Sequence, residues 1–207
     1  MIRIIIFCFF LSFTFTAEAQ IDIASLKHGD LLFQDLNCGG LCDAIESVTE
    51  GIDGRDFSHC GIIAIENDSI FALEAIGPGV IKTPIQKFIS RSGQENVVPM
   101  RLEVKYQKLI PDAIEFINAK MSAAYDDVYD LANDKYYCSE LLYEAFKKSN
   151  DGKALFPLNK MTFKNPKTGE FDPAWVSYFR ELGVDIPEGE DGINPGAISR
   201  SSFLVKF

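Results

Sequence analysis

The stretch FSHCGIIAIENDSIFALEAI, from Phe57 to Ile76, decides the fold. FSHCGIIAI and IFALEAI are rich in β-branched and aromatic residues and flank the polar tetrad Glu66, Asn67, Asp68 and Ser69, the pattern of a hairpin with a tight turn. If Asn67 and Asp68 form a two-residue turn, Glu66 pairs with Ser69, Gly61 falls opposite Glu74, and His59 opposite Ile76. His59 and Glu74 are then diagonal neighbours on one face, whereas a four-residue turn sets them directly opposite. Only an odd-length loop would send the two side chains to opposite faces. Glu74 stands in an apolar strand where a lone carboxylate is costly to bury, so it calls for a partner, and His59 is the nearest candidate.

Outward from the hairpin, LKHGDLLFQ (Leu26 to Gln34) reads as a turn at His28, Gly29 and Asp30 followed by a short strand. Gly39 to Glu50 has helical spacing. Val80 to Thr83 begins a third hairpin-side strand, and Asn96 to Val104 a fourth, with Pro99 arguing for an edge or a bulge. Pro111 opens a helix, and YYCSELLYEAFKK (Tyr136 to Lys148) forms another, with Leu141, Leu142, Ala145 and Phe146 on one side. The Pro-rich remainder predicts a helix from Pro173 to Leu182 and a last strand from Phe203 to Phe207. Its segment from Phe156 to Asn194 is expected to pack against the sheet in preference to covering a cleft. The sum is an α+β fold, an antiparallel sheet with helices packed on it.

Composition narrows the function. Of 207 residues 47% are hydrophobic, enough for a substantial core, and the formal net charge of -10 repels phosphate backbones, which argues against a nucleic-acid partner. Met1 to Ala19 reads as a signal peptide, with a cation at Arg3, an apolar run from Ile4 to Phe15 and an Ala17-Glu18-Ala19 cleavage site, leaving residues 20–207 as one exported domain. No other segment is apolar enough to span a membrane. The expected location is periplasmic or secreted.

Cys38, Cys42, Cys60 and Cys138 remain after the leader. Cys38 and Cys42 can close a small loop if their geometry permits. With only His28 and His59 available and no C-x-x-C pair, no metal site is expected, and the absence of a glycine-rich phosphate loop leaves no cofactor signature. Cys138 follows the polar run Asn133, Asp134, Lys135 and precedes the helical periodicity, which puts it in the first turn of its helix. Unpaired amides and the helix dipole there favour a thiolate and can hold an oxyanion. The plainer alternative is a small buried apolar residue. A base held by a carboxylate and aimed at that thiol follows the logic of acyl transfer, with Cys138 as nucleophile, His59 as base and Glu74 as its orienter.

These motifs resemble a known family. LKHGDLLFQ, FSHCGIIA, LEAIGPGVIKTPIQKF and YYCSELLYEAFK, in that order, are similar to the YiiX/YaeF-like amidases, the circularly permuted branch of the NlpC-type papain-like superfamily, and MTFKNP and GINPGAISRSSFL are similar to the family's tail. The resemblance implies a papain-like sheet or barrel, and the order His59 before Cys138 is the permuted one. It assigns Cys138, His59 and Glu74 the roles above. Tyr137 and Asp30 are assigned to the substrate-binding side, Tyr137 expected to shape the pocket and Asp30 to support the site structurally. Cys60 departs from the small aliphatic residue expected there, and by strand alternation should face away from Cys138.

The leading expectation is a cysteine amidase cleaving peptide or other amide bonds, with cell-wall peptides as the expected substrates, through an acyl-thioester. Acyl-lipid thioester hydrolysis or transfer with the same triad is the alternative. A third reading is a silent peptide- or lipid-binding domain with Cys138 tied up in a disulfide. The oligomeric state is left open.

Overall fold

The computed structural model of the chain describes residues 21–207. The signal peptide expected at Met1 to Ala19 lies outside them. Among the described residues no helix is long and apolar enough to cross a membrane.

The hairpin forms as its turn dictates. β2 (His59–Glu66) and β3 (Ser69–Ile76) pair with Glu66 opposite Ser69 and Ile62 opposite Leu73, the register of a two-residue turn. Asn67 and Asp68 both take positive φ, 48° and 60°, which suits the right-handed twist of the flanking strands. Around this hairpin a six-stranded antiparallel sheet assembles in the order β4-β3-β2-β1-β5-β8. Its other members are β1 (Leu31–Gln34), β4 (Gly79–Pro84), β5 (Val97–Leu102) and, closing the far edge, β8 (Leu204–Lys206). A separate ribbon pairs β6 (Asn159–Lys160) with β7 (Asp191–Gly192).

β5 is an interior strand, not an edge: it pairs with β1 over Val97 to Met100 and with β8 over Met100 to Leu102. Pro99 is tolerated because it lies just beyond the last β8 pair, where the strand has no second neighbour.

Apolar side chains cover both faces. On one, Leu32, Ile63, Ala72 and Val97 meet Ile85, Phe88 and Ile89 of α2 (Ile85–Ser90), while α1 (Gly40–Glu46) belongs to a separate cluster. On the other, Leu31, Phe33, Ile62, Leu73 and Met100 form the main core with α3 (Ile110–Ala119) and α4 (Cys138–Ser149). A smaller aromatic core joins Ala44 of α1 to Phe163 and to Trp175 and Phe179 of α5 (Pro173–Leu182). α5 is bounded as predicted, capped by Asp172, opened by Pro173 and ended by left-handed Gly183. The short α6 (Pro195–Ser199) follows β7.

Candidate active site

Two features of the chain place the nucleophile candidate. Cys138 is the first residue of α4, and Glu140 turns back so that its carboxylate accepts the Tyr137 N–H at 3.1 Å, fixing where the helix begins. The amides of Cys138 and Ser139 therefore lie in the first turn, without intrahelical acceptors, beside the sulfur. Cys138 at this end of the helix meets His59 and Cys60 at the start of β2.

The hairpin register delivers the histidine. His59 Nε2–H donates to Glu74 Oε2 at 2.5 Å, and both groups are buried, with Glu74 wholly inaccessible. Gly61 stands between them on the same face; a Cβ there would come within 3.0 Å of the Leu73 carbonyl oxygen and 3.4 Å of the Glu74 Cβ. The glycine is what lets the carboxylate and the imidazole close on each other across the strands. With Nε2 committed to Glu74, Nδ1 is the ring nitrogen left for the thiol.

Arg91, the residue that ends α2, completes the row. Its Nη2 donates to Glu74 Oε1 at 2.6 Å and to Oε2 at 2.7 Å, while its guanidinium lies 4.8 Å from the centre of the Phe88 ring. Phe88 also packs against His59, with ring centres 5.7 Å apart. Buried Gln34, paired with His59 on the neighbouring strand, donates to the Phe88 carbonyl and to Ser92 Oγ, each at 2.8 Å, and so ties α2 to the sheet. Arg91 was not legible in the sequence. Its motif ends at Phe88, and no local periodicity points from the end of a helix to a strand.

The electrostatics follow from these contacts. Burial alone would push His59 down, but hydrogen bonding to Cys138 and Glu74 outweighs it and raises the imidazole to about 9. Hydrogen bonding from Cys60 is the largest influence on Cys138; with that from His59 it overcomes burial and holds the thiol well below its usual range. Burial raises Glu74, yet His59 and Arg91 together keep its carboxyl below the ordinary value. Near neutral pH the resting state is a thiolate beside an imidazolium, backed by a carboxylate that Arg91 grips.

Two expectations are corrected here. Cys60 does not face away from Cys138: it comes close enough to hold the Cys138 thiol down, and both are free thiols in the same buried cluster. Alternation describes the two faces of a sheet, whereas the head of α4 lies at the beginning of β2, where side chains from both faces reach it. Asp30 does not line the cleft as a substrate-binding residue, and its support is structural. It is buried in a pair with Arg101, accepting from Nε and Nη2 at 2.7 Å each and from the Lys27 N–H at 2.6 Å, and so pins the turn before β1 to β5.

Tyr137 does line the cleft. Its hydroxyl accepts the Ile193 N–H at 3.1 Å, and Ser139 Oγ donates to the Ile193 carbonyl at 2.9 Å, which binds the late chain to the head of α4. The cleft beside the sulfur has a cavity volume of about 90 Å³. One wall comes from Ile45, Val48 and Thr49, and others from Tyr125, Tyr129, Asn159, Met161, Phe163, Trp175 and Ile193. The segment from Phe156 to Asn194 thus forms much of the cleft, contrary to the expectation that it packs against the sheet. The aromatic core with α1 and α5 draws it there.

Cys38 and Cys42 are joined in a disulfide, so the silent-domain reading loses its premise: Cys138 is not a half-cystine. Among the described residues no three His, Cys, Asp or Glu side chains gather as a metal ion would require.

Comparison with known proteins now decides the family. Residues 25–204 match the family described as "Permuted papain-like amidase enzyme, YaeF/YiiX, C92 family". The chain belongs to that family. Among its relatives is the "Uncharacterized protein YiiX" of Escherichia coli K12, 27% identical over 179 residues that make up 82% of this chain and 80% of that protein. A crystal structure described as that of metalloprotein yiiX from Escherichia coli O157:H7 superposes with a TM-score of 0.69 at 22% identity, covering 87% of this chain and 96% of that one. His59 precedes Cys138 in this chain, the order that the resemblance implied for a permuted member.

Proposed function

We propose that this family member is a cysteine amidase in which Cys138 is the nucleophile, His59 the acid–base and Glu74 the residue that orients it. The observation that carries the reading is His59, held through Nε2 by Glu74 and set beside a sulfur at the head of a helix. The Cys138 thiolate attacks the carbonyl carbon, forming the C–S bond, while the oxyanion is received by first-turn amides of α4. His59, protonated at rest, gives its proton to the departing nitrogen as the C–N bond breaks. It then takes a proton from water, which attacks the thioester, releases the acid and restores the ion pair. Glu74 keeps the imidazole in one tautomer throughout.

The protein is further proposed to act outside the cytoplasm, periplasmic or secreted, on the strength of the leader pattern at Met1 to Ala19. Because the cleft lining is largely apolar, transfer or hydrolysis of lipid acyl groups by the same three residues is a second reading. The test is incubation of the mature protein with N-acyl amides, muropeptides and acyl lipids, with hydroxylamine added to intercept a thioester. Products and hydroxamates should be seen by mass spectrometry with the parent protein and not with Cys138→Ala. Equal turnover by the variant would refute the proposal.

A further inference from the structure

We propose that Cys60 is a resolving thiol for Cys138: when an oxidant strikes the Cys138 sulfur, Cys60 captures it in a reversible disulfide that closes the site and spares the sulfur from irreversible damage. The proposal concerns the oxidation state of the site and goes beyond the amidase reading, whatever bond the site cleaves.

Strand geometry sets up the pair. Cys60, Ile62 and Ala64 alternate onto the face of β2 that α3 and α4 cover, while Ile63 packs on the opposite face with α2. Cys138 opens α4 in that same cluster, and the Cys60 thiol stands near enough to help hold its sulfur as a thiolate. With Cys38 and Cys42 already joined, these are the two free cysteines among the described residues. Packing alone does not call for sulfur at Cys60, where the family resemblance expects a small aliphatic side chain.

The two thiols are unequal, and that sets the order of events. Cys138 lines the cleft and rests as a thiolate, the form that reacts with oxidants. Cys60 is wholly buried, does not line the cleft, and is kept protonated by burial and by the anion beside it. A small oxidant entering the cleft therefore meets Cys138 first, and Cys60 comes into play only through it.

Hydrogen peroxide serves as the oxidant. The Cys138 thiolate attacks one peroxide oxygen, so that an S–O bond forms, the O–O bond breaks and hydroxide leaves, to be protonated by solvent. Peroxide is reduced by two electrons and the sulfur is oxidised to a sulfenic acid. The Cys60 sulfur then attacks the Cys138 sulfur: the S–S bond forms, the S–O bond breaks, and the Cys60 proton leaves with the oxygen as water. A dithiol reductant returns both thiols by exchange. Outside the cytoplasm, where the leader pattern points, disulfides persist. Without a resolving thiol the sulfenic acid would climb there to the sulfinic stage, from which thiols do not bring it back.

The test treats the mature protein, with Cys60 and Cys138 reduced, with hydrogen peroxide and maps its peptides by mass spectrometry under non-reducing conditions. The parent is expected to lose two hydrogens, to yield a linked Cys60–Cys138 peptide, and to stop reacting with iodoacetamide at Cys138. Dithiothreitol should restore that labelling to its level before oxidation. In Cys60→Ala and Cys60→Ser, each measured against its own unoxidised labelling, Cys138 should instead gain two or three oxygens, and the labelling recovered should be at least about fivefold lower than in the parent. Sulfinic acid at Cys138 in the parent with no linked peptide overturns the proposal. So does recovery in either variant equal to the parent's, or a Cys138 that peroxide leaves untouched. Turnover is not read, so a protein that bridges and recovers but cleaves nothing counts against the amidase reading alone.

Discussion

Arg91 grips both oxygens of the Glu74 carboxylate, the same group that accepts the His59 Nε2–H. A fully buried carboxylate facing an imidazolium on one side and a guanidinium on the other stays ionised, but its pull on the imidazole is shared. Replacing Arg91 with Met should leave Glu74 with His59 as its one cationic partner and raise the imidazole further, moving the alkaline limb of the rate profile to higher pH. Because water reaches the guanidinium, stability should fall by roughly 2 kcal/mol, less than for a fully buried pair. Arg91→Lys should restore the limb in part, since an ammonium lacks the two-pronged grip. An unmoved limb in Arg91→Met would reduce Arg91 to a stabilising contact.

The ion pair sets the pH dependence. The imidazolium is present below about pH 9 and is lost as pH rises through that value, while the thiolate is lost as pH falls through the depressed range of Cys138. Turnover should therefore give a bell with its alkaline limb near pH 9. In Glu74→Gln the anion that helps raise His59 is gone, so that limb should move to lower pH. A limb shifted upward would contradict the assignment of Glu74.

Cys60 is the largest influence holding Cys138 down. Cys60→Ala should move the acid limb of iodoacetamide labelling at Cys138 to higher pH, and Cys60→Ser, which keeps a donor, should move it less. Identical profiles for the parent protein and both variants would show that the neighbouring thiol does not matter to the nucleophile.

The Tyr137 hydroxyl is the acceptor for the Ile193 amide. Tyr137→Phe leaves a buried N–H unpaired, with an expected loss of about 1–3 kcal/mol. Hydrogen exchange should quicken at Ile193 before it does in the sheet. Unchanged protection there would mean that the late chain is held by other contacts.

Much of this was legible because it is local. A two-residue turn at Asn67 and Asp68 fixes the pairing of β2 and β3, and pairing fixes which side chains share a face, so the His59–Glu74 contact could be read from spacing. Cys138 was placed because a polar run gives way to helical periodicity immediately after it. What could not be read depends on how separate pieces meet. Arg91 reaches Glu74 only because α2 folds back over the sheet. Cys60 reaches Cys138 only because the head of α4 meets the start of β2. The residues from Asn159 to Ile193 line the cleft because an aromatic core with α1 gathers them, and no periodicity announces that. Pro99 suggested an edge because proline cannot donate, and the sheet satisfies it by ending β8 one residue short.

The permuted order of His59 and Cys138 has a consequence for biogenesis. A nascent chain shows the hairpin with the proposed base first, then carries it without the proposed nucleophile until the second half emerges, and Ile193 must arrive before the head of α4 is anchored. On the proposed roles the polypeptide is thus inert for most of its own synthesis, and a premature stop before α4 would yield a fragment without the proposed nucleophile.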